Sequence, residues 1–346
     1  MQALILAGGK GTRLRPLTVY TPKPIVPVVN RPFLLYQIEV LRNAGVTDIT
    51  LSLSYQPDKI QHILGNGSEF GVTIRYITEP SPLGTGGAYK FAADALRETT
   101  IVFNGDILTN LDVGKLVEFH QANSAEATIS LVAVDNPSRY GLAGVDSENR
   151  IQRFVEKPSP ADLEELKINT INAGIYVLEP SILDIIAKDA NKSFEYEIFP
   201  DMLKRKLAFY GYTMTDEYWL DIGTPASYLK AHHDFLSDRV PGFEPQTGAV
   251  SDVATHAEID KVSVIGEGCT IKPGVRIANS VIGPGVHIEE KAVIENSVIW
   301  AHTRIASSAE IHDAVIGRSC HIGRNAVVSE GSVLGDKSAI TDYTKI

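Results

Sequence analysis

The sequence predicts two architectures in series: an α/β domain on a mostly parallel sheet, then a β-helix of stacked six-residue repeats. Three observations carry that prediction. From residue 1 to about 230, short apolar runs alternate with amphipathic segments, the rhythm of strands joined by helices. Around 232–250 the pattern breaks at His232-His233, Pro241-Gly242, Pro245 and Gly248, which reads as a linker. From Ile265 to Ile346, aliphatic residues return every five or six positions, as coils of a solenoid require.

The first strand is expected at Ala3–Ala7. It runs into Gly8-Gly9-Lys10-Gly11-Thr12-Arg13-Leu14-Arg15-Pro16. Glycine lacks a Cβ, so its main-chain N–H groups can approach an anion closely while neighbouring cations neutralise phosphate charge. Lys10, Arg13, Arg15, Lys23 and Lys157 could supply those cations, and the loop reads as a polyphosphate cradle. Its spacing is neither G-x-G-x-x-G nor G-x-x-x-x-G-K-[ST], which argues against a dinucleotide-dependent dehydrogenase or a P-loop ATPase.

Further strands are expected at Ile49–Ser54, Thr73–Ile77, Thr100–Phe103, Thr128–Val134, Ile151–Val155, Ile171–Leu178 and Tyr218–Leu220. A helix is expected over Asn30–Gly45, with a polar cap and Pro32 starting it, Gly45 stopping it, and Leu34, Ile38 and Leu41 on its buried face. Ligands of such sheets gather at the carboxyl ends of strands. The glycine loop, Asn104-Gly105-Asp106 and Asp221-Ile222-Gly223 each follow a strand, so polar residues collect at one edge.

In the repeat, Ile265, Ile282, Ile299 and Ile316 are spaced by 17 residues and Leu334 follows after 18. A small or β-branched residue such as Cys269, Val286, Ala292, Ala309 or Cys320 falls four after most ladder positions. Four to five coils are predicted, with one aliphatic ladder per corner. A charge at Ile288 or Ile305 should then disrupt several coils, and His287, His302, His312 and His321 belong to the polar exterior. The predicted division is 1–235, a linker at 236–250, and 251–346.

With 346 residues, 44% apolar and 21% charged, the chain has the composition of a soluble globular protein with room for two domains. No apolar window is long enough to span a bilayer and the first residues do not read as a signal peptide, so no membrane partner and a cytoplasmic location are expected. Two cysteines, Cys269 and Cys320, suit neither a disulfide framework nor a cysteine-based zinc site. A net charge of −10 without a basic run argues against nucleic acid as partner.

Seven blocks, in order, resemble the sugar-1-phosphate nucleotidyltransferases, or nucleotide-sugar pyrophosphorylases. They are Leu6–Thr18, Thr21-Pro22-Lys23-Pro24, Glu79-Pro80 with Pro82-Leu83-Gly84-Thr85-Gly86-Gly87-Ala88, Asn104-Gly105-Asp106, Phe154-Val155-Glu156-Lys157-Pro158, Asn172-Ala173-Gly174-Ile175-Tyr176 and Trp219–Pro225. The β-helix makes the chain most similar to the mannose-1-phosphate guanylyltransferases of that family. The resemblance implies a Rossmann-like nucleotidyltransferase domain followed by a left-handed hexapeptide-repeat β-helix.

It also implies a reaction in which a sugar 1-phosphate attacks the α-phosphorus of an NTP, giving an NDP-sugar and pyrophosphate, with GTP and mannose 1-phosphate as the expected substrates. Asp106 and Asp221 would hold Mg²⁺. Arg13 and Lys23 would bind the β- and γ-phosphates, Lys157 the sugar's phosphate and Glu156 a sugar hydroxyl. Leu6, Ala7, Gly8, Gly9, Gly11, Thr12, Gly84, Thr85, Asn104 and Gly105 would line the nucleotide, and Gly141 and Asn172 would face the sugar ring. A homo-oligomer assembled through the β-helix is expected.

Other readings stay open on the sequence alone. Pro24 stands where the thymidylyltransferases of the family tend to have Gln, which argues against dTTP. The Glu79–Gly87 segment departs from the pattern common in the guanylyltransferases and leaves the nucleotide open, so UTP, dTTP or GTP with glucose 1-phosphate or another hexose or heptose 1-phosphate is an alternative. Hexapeptide β-helices also occur in acyltransferases, and a non-catalytic nucleotide-sugar sensor or scaffold could use the same fold. Retention of Arg13, Lys23, Asp106 and Asp221 favours the enzyme.

Overall fold

The computed structural model describes residues 1–188, 191–243 and 252–346. The chain divides into two compact units that do not follow chain order. One combines Met1–Gly9 with Tyr36–Trp219, and the other Lys10–Leu35 with Leu220–Ile346.

The elements ahead of the repeat are, in chain order, β1 (Gln2–Leu6), β2 (Pro27–Val28), β3 (Arg31–Pro32), α1 (Leu34–Asn43), β4 (Asp48–Leu53), α2 (Pro57–Leu64), β5 (Thr73–Thr78), α3 (Gly84–Phe91), β6 (Thr100–Asn104), β7 (Ile107–Thr109), α4 (Val113–Ala122), β8 (Ala127–Ala133), β9 (Gly141–Val145), β10 (Ile151–Glu156), α5 (Pro160–Leu166), β11 (Thr170–Leu178), α6 (Phe199–Arg205), β12 (Phe209–Thr213), β13 (Trp219–Asp221) and α7 (Pro225–Leu236).

The first unit is built on a nine-stranded sheet with the order β10-β9-β11-β6-β1-β4-β5, to which β8 and β12 are joined beside β11. Strands β6, β1, β4 and β5 are parallel neighbours. Leu4, Ile5, Ile101, Val102, Phe103, Ile49, Leu51 and Leu53 are buried, the near-continuous apolar composition of a sheet covered on both faces. Register places Leu6 opposite both Ser52 and Asn104, so the end of β1 opens between two polar strand ends. β11 runs antiparallel to β6 and β8, with a register break between Asn172 and Tyr176. Tyr176 of β11 meets Phe194 and Phe199 edge-on in the core, where Phe199 stacks on Phe209.

All eight expected strands form, with ends displaced by about a residue. Two strands of the nine-stranded sheet, β9 and β12, were not anticipated, nor was β7 beside β13. β9 contains Gly141 and Gly144 and β12 contains Gly211, and interior glycines weaken a strand signal. A Cβ on Gly211 would lie 2.6 Å from Leu131 Cδ1, so that glycine answers to packing. Helix α1 buries Leu34, Ile38 and Leu41 as expected, but it starts at Leu34, not at the Asn30 cap and Pro32. Arg31–Pro32 pairs instead with Pro27–Val28 across a two-residue turn in which Val29 and Asn30 both have positive φ.

In the second unit, the repeat forms three parallel sheets of six, five and five strands. Ile265, Ile282, Ile299, Ile316 and Leu334 stack in one ladder, reproducing the 17-residue period and its lengthening to 18. Ile271, Ile288, Ile305, Ile322 and Ile340 form the next. The stack begins earlier than Ile265, because Val253 pairs with Ile271 and Ile259 with Ile277. Cys269, Val286, Ala292, Ala309 and Cys320 fill the interior. Of the segment 236–250 read as a linker, Leu236 ends α7, and 244–250 lie outside the described residues. Among the described residues, no helix is long and apolar enough to cross a membrane.

Candidate active site

In the first unit, the end of β1 builds a narrow glycine cradle. The Ala7 amide donates to Ser52 O at 2.9 Å, and Ser54 Oγ donates to the Gly8 carbonyl. A Cβ on Gly8 would fall 2.9 Å from Glu79 Oε1, so the backbone approaches a buried carboxylate more closely than any side chain would allow. Glu79 in turn accepts from Ser52 Oγ at 2.9 Å and from the Leu83 amide at 3.1 Å. It thereby ties the Leu6–Gly8 segment to the turn that opens α3 at Gly84 and Thr85. Gly84 has a φ of 74°, and a Cβ there would also lie 2.5 Å from Lys192 O, so the position calls for glycine on both counts. Gly9 has open space around its α-carbon.

Gly105 packs under the same strand end. Its amide donates to Leu6 O at 2.9 Å, and a Cβ would sit 2.6 Å from that oxygen. Gln37 on α1, almost fully buried, donates from Nε2 to the carbonyls of Asn104 at 2.9 Å and Ile107 at 2.8 Å. That double donation fixes the turn carrying Asp106.

The register break in β11 gives Asn172 its direction, as bulges beside sites commonly do. Asn172 accepts from the Gly174 amide at 3.0 Å and donates to Tyr176 Oη at 2.9 Å, and Asn104 Nδ2 reaches the same hydroxyl at 3.3 Å. Tyr176 Oη donates to Glu195 Oε1 at 3.2 Å, while Thr85 Oγ1 donates to Glu195 Oε2 at 2.8 Å. Burial and the Glu195 charge hold the Tyr176 phenol far above its ordinary range, so it is a neutral donor at any working pH. Asn104 Oδ1 is buried with no hydrogen-bond partner in the protein, an acceptor available to a bound molecule.

Glu156 lies opposite Gly141 in the β9–β10 pairing, and a Cβ on Gly141 would come 2.7 Å from Glu156 Oε2. Burial, then the Glu195 charge, push the Glu156 carboxyl up to about 7, with Lys157 opposing. Lys157 follows at positive φ, with Nζ 5.8 Å from the Tyr196 ring centre. It is exposed.

The second unit carries the cations. Gly11, at φ 61°, caps a short 3-10 turn over Thr12–Leu14, and Thr18 Oγ1 donates to its carbonyl at 2.7 Å. Arg13 Nη1 stands 3.6 Å from Asp221 Oδ2, and Lys23 Nζ 4.0 Å from Asp221 Oδ1. The Asp221 and Lys23 side chains are 14% and 10% exposed, Arg13 63%. A Cβ on Gly223 would meet Arg13 Nη2 and Asp221 Oδ1, each at 2.7 Å, so the Asp221-Ile222-Gly223 turn makes room for the guanidinium. One carboxylate held by two cations is a centre of mixed charge that a polyphosphate can enter by sharing those cations.

The expected residues thus group in this way. Within the first unit, Leu6, Ala7, Gly8 and Gly105 share one strand end, Asn104 and Asn172 share Tyr176, and Glu156 adjoins Gly141. Within the second, Gly11, Arg13, Lys23 and Asp221 come together. Asp106 belongs to the first unit and Asp221 to the second. Sequence reasoning missed Gln37, Glu79 as a tie between loops, and Glu195. Ser193 caps a π-helical turn over Phe194–Ile198 that leads into α6, a segment without a recognised spacing, so Glu195 carried no signal beyond its charge.

Among the described residues, no cluster of three or more His, Cys, Asp or Glu could hold a metal. Mg²⁺ needs only one or two carboxylates, with phosphate and water oxygens completing its octahedron, and within the second unit the Asp221 carboxylate is of that kind.

Residues 2–238 match the nucleotidyl transferase family, and 247–346 match the LbH domain of EIF2B subunit epsilon. The mannose-1-phosphate guanylyltransferase of Mycobacterium tuberculosis is 37% identical over 286 residues, covering 80% of this chain and 78% of its own. The mannose-1-phosphate guanyltransferase of Saccharomyces cerevisiae is 38% identical over 266 residues, covering 75% and 72%. Among solved structures, HddC from Yersinia pseudotuberculosis superposes with a TM-score of 0.57 at 36% identity, covering 66% of this chain and 97% of that one. A putative glucose-1-phosphate thymidylyltransferase from Bacillus anthracis gives 0.60 at 28% identity, covering 67% and 93%. The chain therefore belongs to the nucleotidyl transferase family, as an enzyme of the sugar-1-phosphate nucleotidyltransferase class.

Proposed function

We propose that this enzyme joins GTP and mannose 1-phosphate to give GDP-mannose and pyrophosphate. The observation that carries the chemistry is Asp221 held between Arg13 and Lys23 behind the glycine turn. The choice of substrates is supported by the relatives at 37–38% identity that are named for them.

A phosphate oxygen of mannose 1-phosphate attacks the α-phosphorus of GTP in line, and the bond from that phosphorus to the β-phosphate's bridging oxygen breaks as pyrophosphate leaves. Positioning and charge neutralisation carry such a transfer. Arg13, with a fork that binds two oxygens and stays charged, holds the β- and γ-phosphates with Lys23. Lys157 takes the sugar's phosphate. Glu156 accepts from a sugar hydroxyl, beside Gly141 and Asn172. Leu6, Ala7, Gly8, Gly9, Gly11, Thr12, Gly84, Thr85, Asn104 and Gly105 surround the nucleotide. Asp106 and Asp221 would hold Mg²⁺, which would supply positive charge where two anions must approach.

Self-association through the β-helix is part of the proposal: the large apolar side chains of Val262 and Tyr343 are exposed on it, and a single monomeric species in light scattering would contradict it. A reducing, cytoplasmic setting fits the two buried free thiols, Cys269 and Cys320.

The deciding experiment is pyrophosphate release with Mg²⁺, pairing GTP, UTP, dTTP, CTP and ATP with mannose 1-phosphate and glucose 1-phosphate. GTP with mannose 1-phosphate should be turned over best. A preference for UTP or dTTP with glucose 1-phosphate would keep the chemistry and overturn the substrates. No release with any pair from folded protein would overturn the catalytic reading.

A further inference from the structure

The segment leading to Lys23 lies along one corner of the β-helix, within the same compact unit. That corner follows the ladder Ile282, Ile299, Ile316, Leu334. Next to Ile282, Asn30 Nδ2 donates to the Ile282 carbonyl at 2.9 Å. Next to Ile299, Trp300 Nε1 donates to Tyr228 Oη at 2.9 Å, and that hydroxyl donates to Pro27 O. Next to Leu334, a Cβ on Gly335 would lie 3.0 Å from Pro16 Cβ. There Thr21 Oγ1 donates to Asp336 Oδ2 at 3.3 Å, and Lys337 Nζ lies 5.8 Å from the Tyr20 ring centre.

Asp336 stands out in this row. Its equivalents in the coils below are Glu267, Pro284, Ala301 and Arg318, only one of them acidic, so the repeat does not demand an acid there. Its Oδ1 accepts from the Arg318 amide at 2.9 Å, a coil cap that Asp342 repeats on the Arg324 amide at 2.7 Å. The second oxygen of Asp336 faces Thr21. Thr21 is buried and connects to Lys23 through Pro22, whose ring fixes φ. Lys23 in turn packs against the loop, since a Cβ on Gly11 would lie 3.0 Å from Lys23 Cβ.

We infer that Asp336, in the C-terminal β-helix, is a positioning residue for nucleotidyl transfer, setting Lys23 through its hydrogen bond with Thr21. The inference rests on the assignment of Lys23 to the phosphates. A displacement of about 1 Å in a positioning group can cost on the order of 10²-fold in rate, so the loss of one tether two residues away should cost roughly a tenth of that.

The test compares Asp336→Ala with Asp342→Ala in the full chain. Both lose a coil cap, and only the first loses Thr21. Asp336→Ala should lower kcat about 10-fold with KM for mannose 1-phosphate unchanged, and Asp342→Ala should keep wild-type kinetics. Thr21→Val should reproduce the Asp336→Ala defect and Thr21→Ser should not, which probes the link from the other side if Asp336→Ala folds poorly. In a Lys23→Ala background, Asp336→Ala should add nothing, because residues acting through one another are not additive. Equal losses in Asp336→Ala and Asp342→Ala, or an undiminished effect without Lys23, would overturn the inference alone. Wild-type turnover by Lys23→Ala would overturn the phosphate assignment and the inference with it.

Discussion

The β-helix and the strand-end loops of the first unit are stabilised by the same forces, yet they store their design differently. In the β-helix, stacked neighbours are 17 or 18 residues apart along the whole stack, so each buried position is repeated coil after coil. In the first unit, Thr85, Asn104, Asn172, Tyr176 and Glu195 join in one hydrogen-bonded set across sequence separations that never recur. Periodic burial tolerates variation in side-chain size, and admits a polar group only where the backbone pairs it, as Gly317 O does for Thr303 Oγ1 at 2.9 Å. A polar network tolerates change in neither size nor polarity, because each partner is used once.

The sharpest break in that comparison is a buried charge in the repeat. Ile305→Asp should destabilise the β-helix by several kcal/mol, the cost of an unpaired carboxylate in an apolar interior, whereas Tyr343→Asp at the exposed end should leave the melting temperature nearly unchanged. Calorimetry checks both.

Asp221→Ala should show the opposite signature, with turnover down on the order of 10³-fold, the scale of a lost charge-stabilising group, and unfolding close to wild type. Wild-type pyrophosphate release from this variant would remove Asp221 from the site.

Gln37→Leu removes the donor to two buried carbonyls, which should cost about 1–3 kcal/mol and lower turnover through the Asp106 turn. Stability lost without any change in kcat would make Gln37 purely structural.

The smallest effect is on pH dependence. The Glu156 carboxyl sits at about 7 in the folded chain against an ordinary 4.5. Between those values the folded state binds more protons than the unfolded, so stability falls as pH rises through that window. Glu156→Gln should flatten the difference in melting temperature between pH 5 and pH 8. An unchanged pH profile would show that Glu156 titrates normally.

Much of this was readable in advance, and the reasons differ by region. The ladder from Ile265 to Ile346 repeats its own signal, and the β1 and β6 strands are long apolar runs, so their places followed from pattern. The start of α1 did not, because Asn30 and Pro32 fit a helix cap as well as the hairpin turn they make. β9 and β12 were hidden by Gly141, Gly144 and Gly211, which serve close packing at the expense of strand signal. Arg13, Lys23 and Asp221 were legible as residue types in family motifs. Their closeness within one unit was not, since 198 residues separate Lys23 from Asp221.

The sequence by itself determined the two architectures, the coil period, the phosphate-binding character of the glycine loop and the family, because each is written in local composition or in a repeat. Only the tertiary structure decided which compact unit each part joins, placing Lys10–Leu35 with the β-helix. It also decided that Glu79 ties two loops, that Tyr176 links Asn104 and Asn172 to Glu195, and that Asp336 meets Thr21. Those are single contacts between distant segments, and a contact made once leaves no period in the chain that forms it.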